Sequence, residues 1–358
     1  MKQFHSLKVV DKVQETRDSV RITLDVPLAL RAEYAFRAGQ HLPVQIERDG
    51  RKIRRTYSIC SEQGAWPLQI GVRLQPGGQF SEFAFNDLGI GDSLDVMPPN
   101  GQFHATPDEA NQKNYVAFAA GSGITPILSI VATLLRDEAR SRFALFYGNR
   151  TQGTTMFIDD LFALKNRYPD RLQLHFLFSR EEQEFEIAAG RLDDAKIREL
   201  IRHFCGGAIP DEVFVCGPDT MINTVTVTLV ELHVPADRIH AERFGARRTA
   251  NGNTVTVTSN KGEADRARIT VVMDGHEKSF SMARGGANIV DAAAEQGVEL
   301  PYSCKGGVCA TCRTFVEKGE VEMATNYGLE PWEVEKGFVL ACQSTPVSDE
   351  ILLNYDKA

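Results

Sequence analysis

The most constraining feature of this chain is the spacing of four cysteines near its C-terminal end. Cys304, Cys309 and Cys312 follow the pattern Cys-x4-Cys-x2-Cys, and Cys342 lies much later. Three thiolates on one loop can wrap two irons while a distant fourth closes the cage, and glycines in such a loop let backbone N–H groups approach the sulfurs. The spacing predicts a plant-type [2Fe–2S] cluster with these four cysteines as its ligands.

A zinc site and four unrelated cysteines both fit this pattern less well. Structural zinc sites usually show two paired Cys-x2-Cys halves, which this sequence lacks. Four unrelated buried cysteines would seldom fall at these intervals. Of the remaining cysteines, Cys60 and Cys205 are expected to be small buried hydrophobic residues, whereas Cys216 belongs to a motif described below.

Length and composition are those of an ordinary globular protein of two or three domains, with 358 residues, 42% hydrophobic and 25% charged. The opening residues show no apolar leader, and the sequence has no run of about 18 apolar residues. We therefore expect a cytoplasmic protein that does not enter a membrane. In that compartment, clustered cysteines favour metal chemistry over disulfides.

The net charge of −8 is concentrated at one end of the chain. Residues 269–358 contain 14 Asp and Glu against 7 Lys and Arg, a balance of −7 that leaves −1 for all other residues. This acidity argues against nucleic-acid binding. It is compatible with steering toward a basic protein partner, and equally with simple solubility.

The pattern along the chain divides it into three domains. Residues 1–107 contain strands that alternate apolar and polar residues between glycine-rich turns, which predicts an antiparallel β-barrel. Residues 108–244 alternate strands with helices, the first helix running from Pro126 to about Arg140, which predicts a parallel sheet in a doubly wound α/β domain. The strands predicted for this second domain are 115–120, 143–147, 172–178 and 213–216.

The last part of the chain is predicted to be a linker followed by a third compact unit. Residues 245–268 are poor in large apolar residues and rich in Thr, Asn, Gly and Arg, which favours an inter-domain linker. A short strand at 255–258 is an alternative. The unit at 269–358 begins with a strand-like run and carries a helix near 289–295.

Two motifs in the first domain suit a flavin. In Arg55-Thr56-Tyr57-Ser58, an arginine can pair with a pyrophosphate, a tyrosine can lie against the isoalloxazine ring, and a serine can hydrogen-bond the polar edge of the ring. Gly78-Gln79-Phe80-Ser81 offers permissive backbone and a hydroxyl beside a second phosphate contact. An arginine-rich surface strand and an ordinary glycine turn explain each motif equally well when it is taken alone.

A motif in the second domain suits a nucleotide. Gly121-Ser122-Gly123-Ile124-Thr125-Pro126 follows a buried strand and opens a helix, where N–H groups and the helix dipole bind phosphate. Gly121, Gly123, Thr125 and Pro126 are the candidate ligands. The motif is not a full Gly-x-Gly-x-x-Gly, and a tight strand-to-helix turn without a ligand is the alternative.

Further candidates follow other strands of the same sheet, because ligands of such sheets bind at the carboxyl ends of strands. Cys216-Gly217-Pro218 ends one strand and places Cys216 to face a nicotinamide. Cys216 is therefore one candidate catalytic residue, and Ser58 of the first domain is the other. A buried strand-end cysteine is the alternative.

Three residues after the second and third strands bear on the choice of nucleotide. Arg150, Ser179 and Arg180 can hold a 2′-phosphate, which predicts NADPH rather than NADH. Solvated surface arginines are the alternative.

Together these motifs resemble the ferredoxin–NADP reductase superfamily fused to a plant-type ferredoxin domain, over nearly the whole chain. The resemblance implies an FAD-binding barrel, an NADP-binding α/β domain and an α+β ferredoxin domain of the β-grasp type. Glu242-Arg243-Phe244 closes the reductase part, and the resemblance implies that Phe244 covers the flavin ring. It also implies that two electrons pass from NADPH to FAD and then singly to the cluster.

A narrower resemblance concerns the electron acceptor. The segments 4–7, 39–41, 302–312 and 325–330 resemble reductase components of bacterial oxygenases. This implies a di-iron oxygenase component that epoxidises an aromatic CoA thioester. Three alternatives stay open, namely a reductase for another ring-hydroxylating oxygenase or hydroxylase, a redox-sensing regulatory protein, and a zinc-binding interaction module.

Overall fold

The structure is a computed structural model that describes residues 3–48, 50–207, 209–244 and 266–357. Residues 4–244 form one compact unit, and the described residues 266–357 belong to a second. Each unit is considered by itself. The predicted linker up to residue 265, with the alternative strand inside it, lies outside the described residues.

The first part of the larger unit is a closed antiparallel barrel. Its elements are β1 (His5–Thr16), β2 (Ser19–Asp25), β3 (His41–Arg48), β4 (Arg51–Ser58), β5 (Leu68–Arg73), α1 (Gln79–Asn86) and β6 (Ser93–Val96). The strands lie in the order β4-β3-β6-β1-β2-β5, and an antiparallel bridge between Ile59 and Ile70 joins the end of β4 to β5. The apolar residues of the alternating runs fill the barrel, among them Ile22, Leu24 and Leu42, all fully buried.

The second part of the larger unit is a parallel sheet with helices. Its elements are β7 (Asn114–Ala120), α2 (Ile124–Asp137), β8 (Arg142–Asn149), α3 (Ile158–Arg167), β9 (Leu172–Phe178), α4 (Asp194–Phe204), β10 (Glu212–Gly217), α5 (Asp219–Glu231) and β11 (Ile239–Arg243). The order β9-β8-β7-β10-β11 is that of a doubly wound domain, in which the winding direction reverses between β7 and β10. Ligands of such sheets bind where the winding reverses.

Barrel and α/β sheet pack against each other through α2. Every residue from Ile124 to Leu135 is buried, because the sheet covers one side of the helix and the barrel the other. The Ser129 hydroxyl donates to the Ser61 carbonyl at 2.7 Å, and the Gln63 N–H donates to the Thr133 hydroxyl at 3.0 Å. Buried polar groups that find partners in this way fix two surfaces in one register.

The second unit is a five-stranded mixed sheet with short helices. Its elements are β12 (Arg266–Met273), β13 (His276–Ala283), α6 (Ile289–Glu295), β14 (Arg313–Lys318), β15 (Val321–Met323), α7 (Pro331–Glu335), β16 (Phe338–Leu340), β17 (Ser344–Pro346) and β18 (Glu350–Asn354). The order is β13-β12-β18-β14-β16, with β12 and β18 parallel, and β15 pairs with β17 in a separate ribbon. The buried face of α6 covers this sheet in a β-grasp arrangement.

The predicted fold class is confirmed in all three parts. β9 and α6 have the predicted bounds, whereas α2 ends at Asp137, three residues earlier than predicted, where the backbone leaves helical geometry at Glu138. β12 begins at Arg266, so its first three residues belong to a strand that extends into the predicted linker. Cys60 is buried as predicted, and Cys205 is only half-buried.

Candidate functional site

The four predicted cluster cysteines converge in the β-grasp unit as two pairs. Hydrogen bonds join the thiols of Cys304 and Cys309, and those of Cys312 and Cys342. The last three are buried, and Cys304 is half-buried. Across the described ranges, no group of three or more His, Cys, Asp or Glu side chains surrounds a single ion position. Two facing pairs of thiols are the donor set that a two-iron cluster requires.

Backbone N–H groups already point at the sulfurs. Gly306 and Cys309 donate N–H bonds to the sulfur of Cys304 at 3.3 and 3.4 Å. A hydrogen bond from the Cys309 thiol, joined by these N–H donors, outweighs burial and lowers the pKa of Cys304 to about 5. In the second pair, a hydrogen bond from Cys312 lowers the pKa of Cys342. Each pair therefore favours one thiolate, the form that binds iron.

The cluster loop is held by a second segment of chain. Gly307 has a φ of +75°, and a Cβ there would lie 2.8 Å from the Thr325 carbonyl oxygen. A Cβ on Gly328 would lie 2.5 Å from the Val308 carbonyl oxygen. The Tyr327 N–H donates to the Gly307 carbonyl at 2.9 Å. Glycine is required at both close approaches, and the thiol set, its N–H donors and this tight loop fit a [2Fe–2S] cluster.

The two predicted flavin motifs meet on the barrel. Residues Arg55–Ser58 lie in β4, and Gly78 is the residue before α1. The rings of Tyr57 and Phe80 are 5.1 Å apart. Arg55 is exposed and donates to the Arg54 carbonyl at 2.7 Å. These contacts bring the arginine, the tyrosine and the start of α1 to one side of the barrel.

The start of α1 suits a phosphate, but the Ser81 hydroxyl, predicted to lie beside the phosphate, is hydrogen-bonded within its own turn. Among the described residues, no side chain caps this helix terminus, and uncapped helix N-termini bind anions. The Ser81 hydroxyl is bonded inside the turn, where it accepts from the Gln75 N–H at 3.1 Å and donates to the Gly78 carbonyl at 3.1 Å. Gln79 is exposed and Thr56 half-exposed, while Ser58 is buried. An exposed guanidinium, an aromatic face and a free helix terminus together suit a flavin with a pyrophosphate.

The nucleotide turn and the Cys-Gly-Pro motif touch where the winding of the parallel sheet reverses. A Cβ on Gly123 would lie only 2.1 Å from the Cys216 carbonyl oxygen. A Cβ on Gly217 would lie 3.1 Å from the Ala120 Cβ. Gly121 has a φ of +55°, so its backbone adopts a conformation that favours glycine. The glycines allow two strand ends to meet with backbone facing backbone, at the edge where sheets of this kind bind their ligands.

Other members of these motifs shape the start of α2. The Thr125 hydroxyl donates to the Ser122 carbonyl at 2.9 Å, and Pro126 is buried in the first turn of the helix. No side chain of the described ranges caps α2 at Gly123. Pro218 is exposed and precedes α5. The turn therefore has the uncapped terminus that the phosphate hypothesis requires.

The Cys216 thiol is fully buried. Burial, with the carboxylate of Glu242 on the neighbouring strand, raises the pKa of Cys216 well above its usual value. Burial therefore favours the neutral thiol at Cys216. The catalytic role of Cys216 stays a prediction, and the close approach of Gly123 to the Cys216 carbonyl shows that the strand end also contributes its backbone to the site.

The predicted 2′-phosphate residues lie side by side at the ends of β8 and β9. The Arg180 N–H donates to the Arg150 carbonyl at 2.9 Å, and both side chains are exposed. The Ser179 N–H donates to the Asn149 carbonyl at 3.0 Å. The nearby carboxylate of Glu181 accepts from the Gln152 N–H at 2.8 Å.

Phe244, the residue predicted to cover the flavin ring, is 43% exposed. It directly follows Arg243, which pairs with Gly217 across β10 and β11.

Two side chains at the nucleotide turn have no counterpart among the predicted residues. The fully buried Tyr147 donates its hydroxyl to the Gly121 carbonyl at 2.8 Å. A Cβ on Gly121 would lie 3.0 Å from a guanidinium nitrogen of Arg73, which also pairs with Asp18 at 2.9 Å. Both act on the turn from distant strands, so only the tertiary structure reveals them.

Fold and site together define a flavin- and iron–sulfur-dependent electron-transfer reductase. Three family models match successive parts of the chain: an oxidoreductase FAD-binding domain at residues 6–105, an oxidoreductase NAD-binding domain at 118–226, and a 2Fe-2S iron-sulfur cluster binding domain at 271–347. No helix within the described residues is long and apolar enough to cross a membrane.

Relatives match over the whole chain. One subunit of the 1,2-phenylacetyl-CoA epoxidase of Escherichia coli is 42% identical over 99% of both chains. The ferredoxin reductase component of the 3-ketosteroid-9-alpha-monooxygenase of Rhodococcus rhodochrous is 32% identical over 98% of this chain and 96% of its own. Phthalate dioxygenase reductase, a solved structure, is 25% identical over 98% of both chains with a TM-score of 0.59.

The chain belongs to the family of oxygenase reductase components that join a ferredoxin–NADP reductase module to a C-terminal [2Fe–2S] domain. The narrower resemblance, to the reductase of the phenylacetyl-CoA epoxidase, is confirmed at the level of sequence similarity. The chain is an oxidoreductase with domains for FAD, a nicotinamide nucleotide and a [2Fe–2S] cluster, and an oxygenase is its partner.

Proposed function

We propose that this protein carries electrons from NADPH through FAD and the [2Fe–2S] cluster to the di-iron oxygenase component of a phenylacetyl-CoA epoxidase, in the cytoplasm. The observation that carries the proposal is the full-length similarity to one subunit of that epoxidase, together with the two-pair arrangement of the cluster thiols. The segment 325–330, which carries part of the narrower resemblance, packs on the cluster loop.

The proposed roles of the first-domain residues follow from their positions. Arg55 and the start of α1, at Gly78, hold the pyrophosphate of FAD. Tyr57 lies along the flavin ring and Ser58 contacts its polar edge. Phe244 would cover the flavin ring. When bound, FAD supplies the chemistry that turns a hydride into single electrons, which the cluster carries one at a time.

The α/β domain binds and orients the nicotinamide nucleotide. The uncapped start of α2 holds its phosphates, with Tyr147 fixing Gly121 from behind. Because Gly123 and Gly217 have no side chains, the strand ends leave the nicotinamide a path to the flavin past Cys216. Positioning of this kind brings the two reacting atoms within reach and excludes water between them.

The proposed preference for NADPH over NADH rests on Arg150 and Arg180, which lie side by side after β8 and β9. We expect Arg180→Ala to raise KM for NADPH by about tenfold or more, because a charge-assisted hydrogen bond to the 2′-phosphate is lost. KM for NADH should stay within about twofold. Steady-state kinetics with both nucleotides measures the difference, and Arg191→Ala, also an exposed arginine of this domain, is the control. Equal effects on the two nucleotides would refute the 2′-phosphate assignment.

Reconstitution tests the proposed function. The purified holoprotein, NADPH and the oxygenase component of a phenylacetyl-CoA epoxidase are combined with phenylacetyl-CoA, and the epoxide is measured against NADPH consumed. We expect product in near-stoichiometric amounts. The oxygenase component of a 3-ketosteroid monooxygenase, whose reductase is also a relative, serves as the comparison. Faster coupling to that oxygenase, or none to the epoxidase, would overturn the proposal.

A further inference from the structure

We propose that an aromatic surface beside the cluster loop, formed by Tyr327, Trp332 and Val334, is the site on which the oxygenase partner docks. We call it the 327–334 surface. The inference rests on the proposed function and specifies how the acceptor is recognised. We expect the partner to offer an apolar recess that receives these side chains and is surrounded by Lys and Arg residues.

Exposure of large apolar side chains is concentrated on this surface. Within residues 266–357, those exposed are Tyr327, Trp332, Val334 and Val347, at 53, 49, 41 and 48%. Three of the four fall within eight residues of chain. Single exposed apolar residues are ordinary, whereas Trp and Tyr exposed close together along the chain are the residue types enriched in protein–protein interfaces.

The 327–334 surface is attached to the cluster ligands at two points. Tyr327 is bonded through its N–H to Gly307 in the cluster loop at 2.9 Å. Glu333, buried between the exposed Trp332 and Val334, forms an ion pair with Arg313 at 2.9 Å.

Arg313 in turn follows the ligand Cys312 directly and lies 3.8 Å from the ring centroid of Phe338. An ion pair to a buried carboxylate holds this short helix in one position, because Glu333 left alone would be a desolvated charge. A protein bound to α7 is therefore held close to the segment that carries Cys312.

Charge around the surface indicates the kind of partner. Glu330 and Glu335 are exposed in the segment, and the ammonium group of Lys336 lies 4.9 Å from the Trp332 ring. Residues 269–358 carry a balance of −7. An apolar centre with an acidic rim matches a basic surface that surrounds an apolar recess, and the rim charges speed encounter. The oxygenase component is the partner that this surface fits, and the measurements below also detect binding of the flavin-containing unit or of a second copy of the chain.

Three measurements on the holoprotein test the proposal, with Trp332→Ala and Tyr327→Ala as variants. Product formation is followed as a function of oxygenase concentration, cluster reduction by NADPH is followed by rapid mixing, and turnover with ferricyanide reports delivery to a small acceptor. Val347→Ala is the matched control, because Val347 is equally exposed but lies beside the β15–β17 ribbon. Trp332→Phe keeps an aromatic ring.

For Trp332→Ala we expect the half-saturating oxygenase concentration to rise about 30-fold, as for an interface hot spot. Trp332→Phe should lose less, and Val347→Ala should match the wild type. Cluster absorption, cluster reduction and ferricyanide turnover should not change. An unchanged half-saturating concentration would overturn the inference. So would slower cluster reduction, which would assign the surface to the flavin-containing unit, or a self-association that the variants abolish. If the wild type forms no product, the proposed function fails instead.

Discussion

Cys309→Ser is expected to remove the visible absorption of the cluster while NADPH still bleaches the flavin. Cys309 shares a hydrogen-bonded thiol pair with Cys304 and is buried within its loop. A serine hydroxyl stays protonated near pH 7 and is a hard ligand, so iron is held by one thiolate fewer. The flavin and nucleotide sites lie in residues 4–244, a separate compact unit. Electron delivery to the oxygenase should fall at least 100-fold, because the flavin loses its one-electron route to the partner.

Absorbance spectra, iron content and NADPH-driven flavin bleaching measure this effect. Cys205→Ser is the matched control, since Cys205 is a half-buried cysteine at the end of α4, within the other unit. It should keep full cluster absorption. A Cys309→Ser protein that keeps the wild-type spectrum and iron content would show that Cys309 is not a ligand.

Gly123→Ala is expected to lower kcat/KM for NADPH by about 100-fold while FAD stays bound. The new methyl group would lie 2.1 Å from the Cys216 carbonyl oxygen, which is backbone and cannot swing away. The start of α2 and the end of β10 must separate, and displacements near 1 Å at a reacting site can cost about that factor. Overpacking of this kind also destabilises by about 1–3 kcal/mol.

Gly153→Ala is the control for the added methyl group. Gly153 is exposed, and a Cβ there meets no atom of the described residues within 4 Å. It should leave both kcat/KM and thermal stability close to wild type. If Gly123→Ala retains wild-type nucleotide kinetics, the proposed nucleotide position at the junction of β7 and β10 is incorrect.

Local patterns account for what the sequence predicts well. The run 172–178 is apolar at five of its seven positions, and the strand has those bounds. The helix near 289–295 also has its predicted bounds, since Asn288 caps it through the Asp291 N–H. The cluster motif is predictable for the same reason, because three of its four ligands lie on one loop and the spacing alone brings them together.

Long-range contacts account for what the sequence does not predict. α2 is buried along its whole apolar length, and its end at Asp137 is set by Glu138, a buried carboxylate that accepts from the Tyr115 and Ser141 hydroxyls. No periodicity along the chain reveals that network. Tyr147 at the nucleotide turn depends likewise on strand register. For Cys216 the sequence leaves a buried strand-end cysteine open as the alternative, and the structure shows that the thiol is fully buried.

The same limit applies to the 327–334 surface. Its residues read as an ordinary turn and short helix, and Trp332 would be predicted as core from its type alone. Only the structure shows that Glu333 faces inward to Arg313, which turns its two apolar neighbours toward solvent. Buried charge and exposed tryptophan in one turn of helix reverse the usual pattern, which is why this segment indicates a binding surface.

In the proposed function, electrons pass from the nicotinamide nucleotide to the flavin and from the flavin to the cluster. Rapid mixing of the oxidised holoprotein with NADPH, in the absence of oxygen and oxygenase, tests it most directly by following flavin and cluster absorbance together. Flavin absorbance should fall first and cluster absorbance should follow, and both phases should be lost when NADPH is omitted. A cluster that stays oxidised while the flavin is fully reduced, or one that is reduced before the flavin, would contradict it.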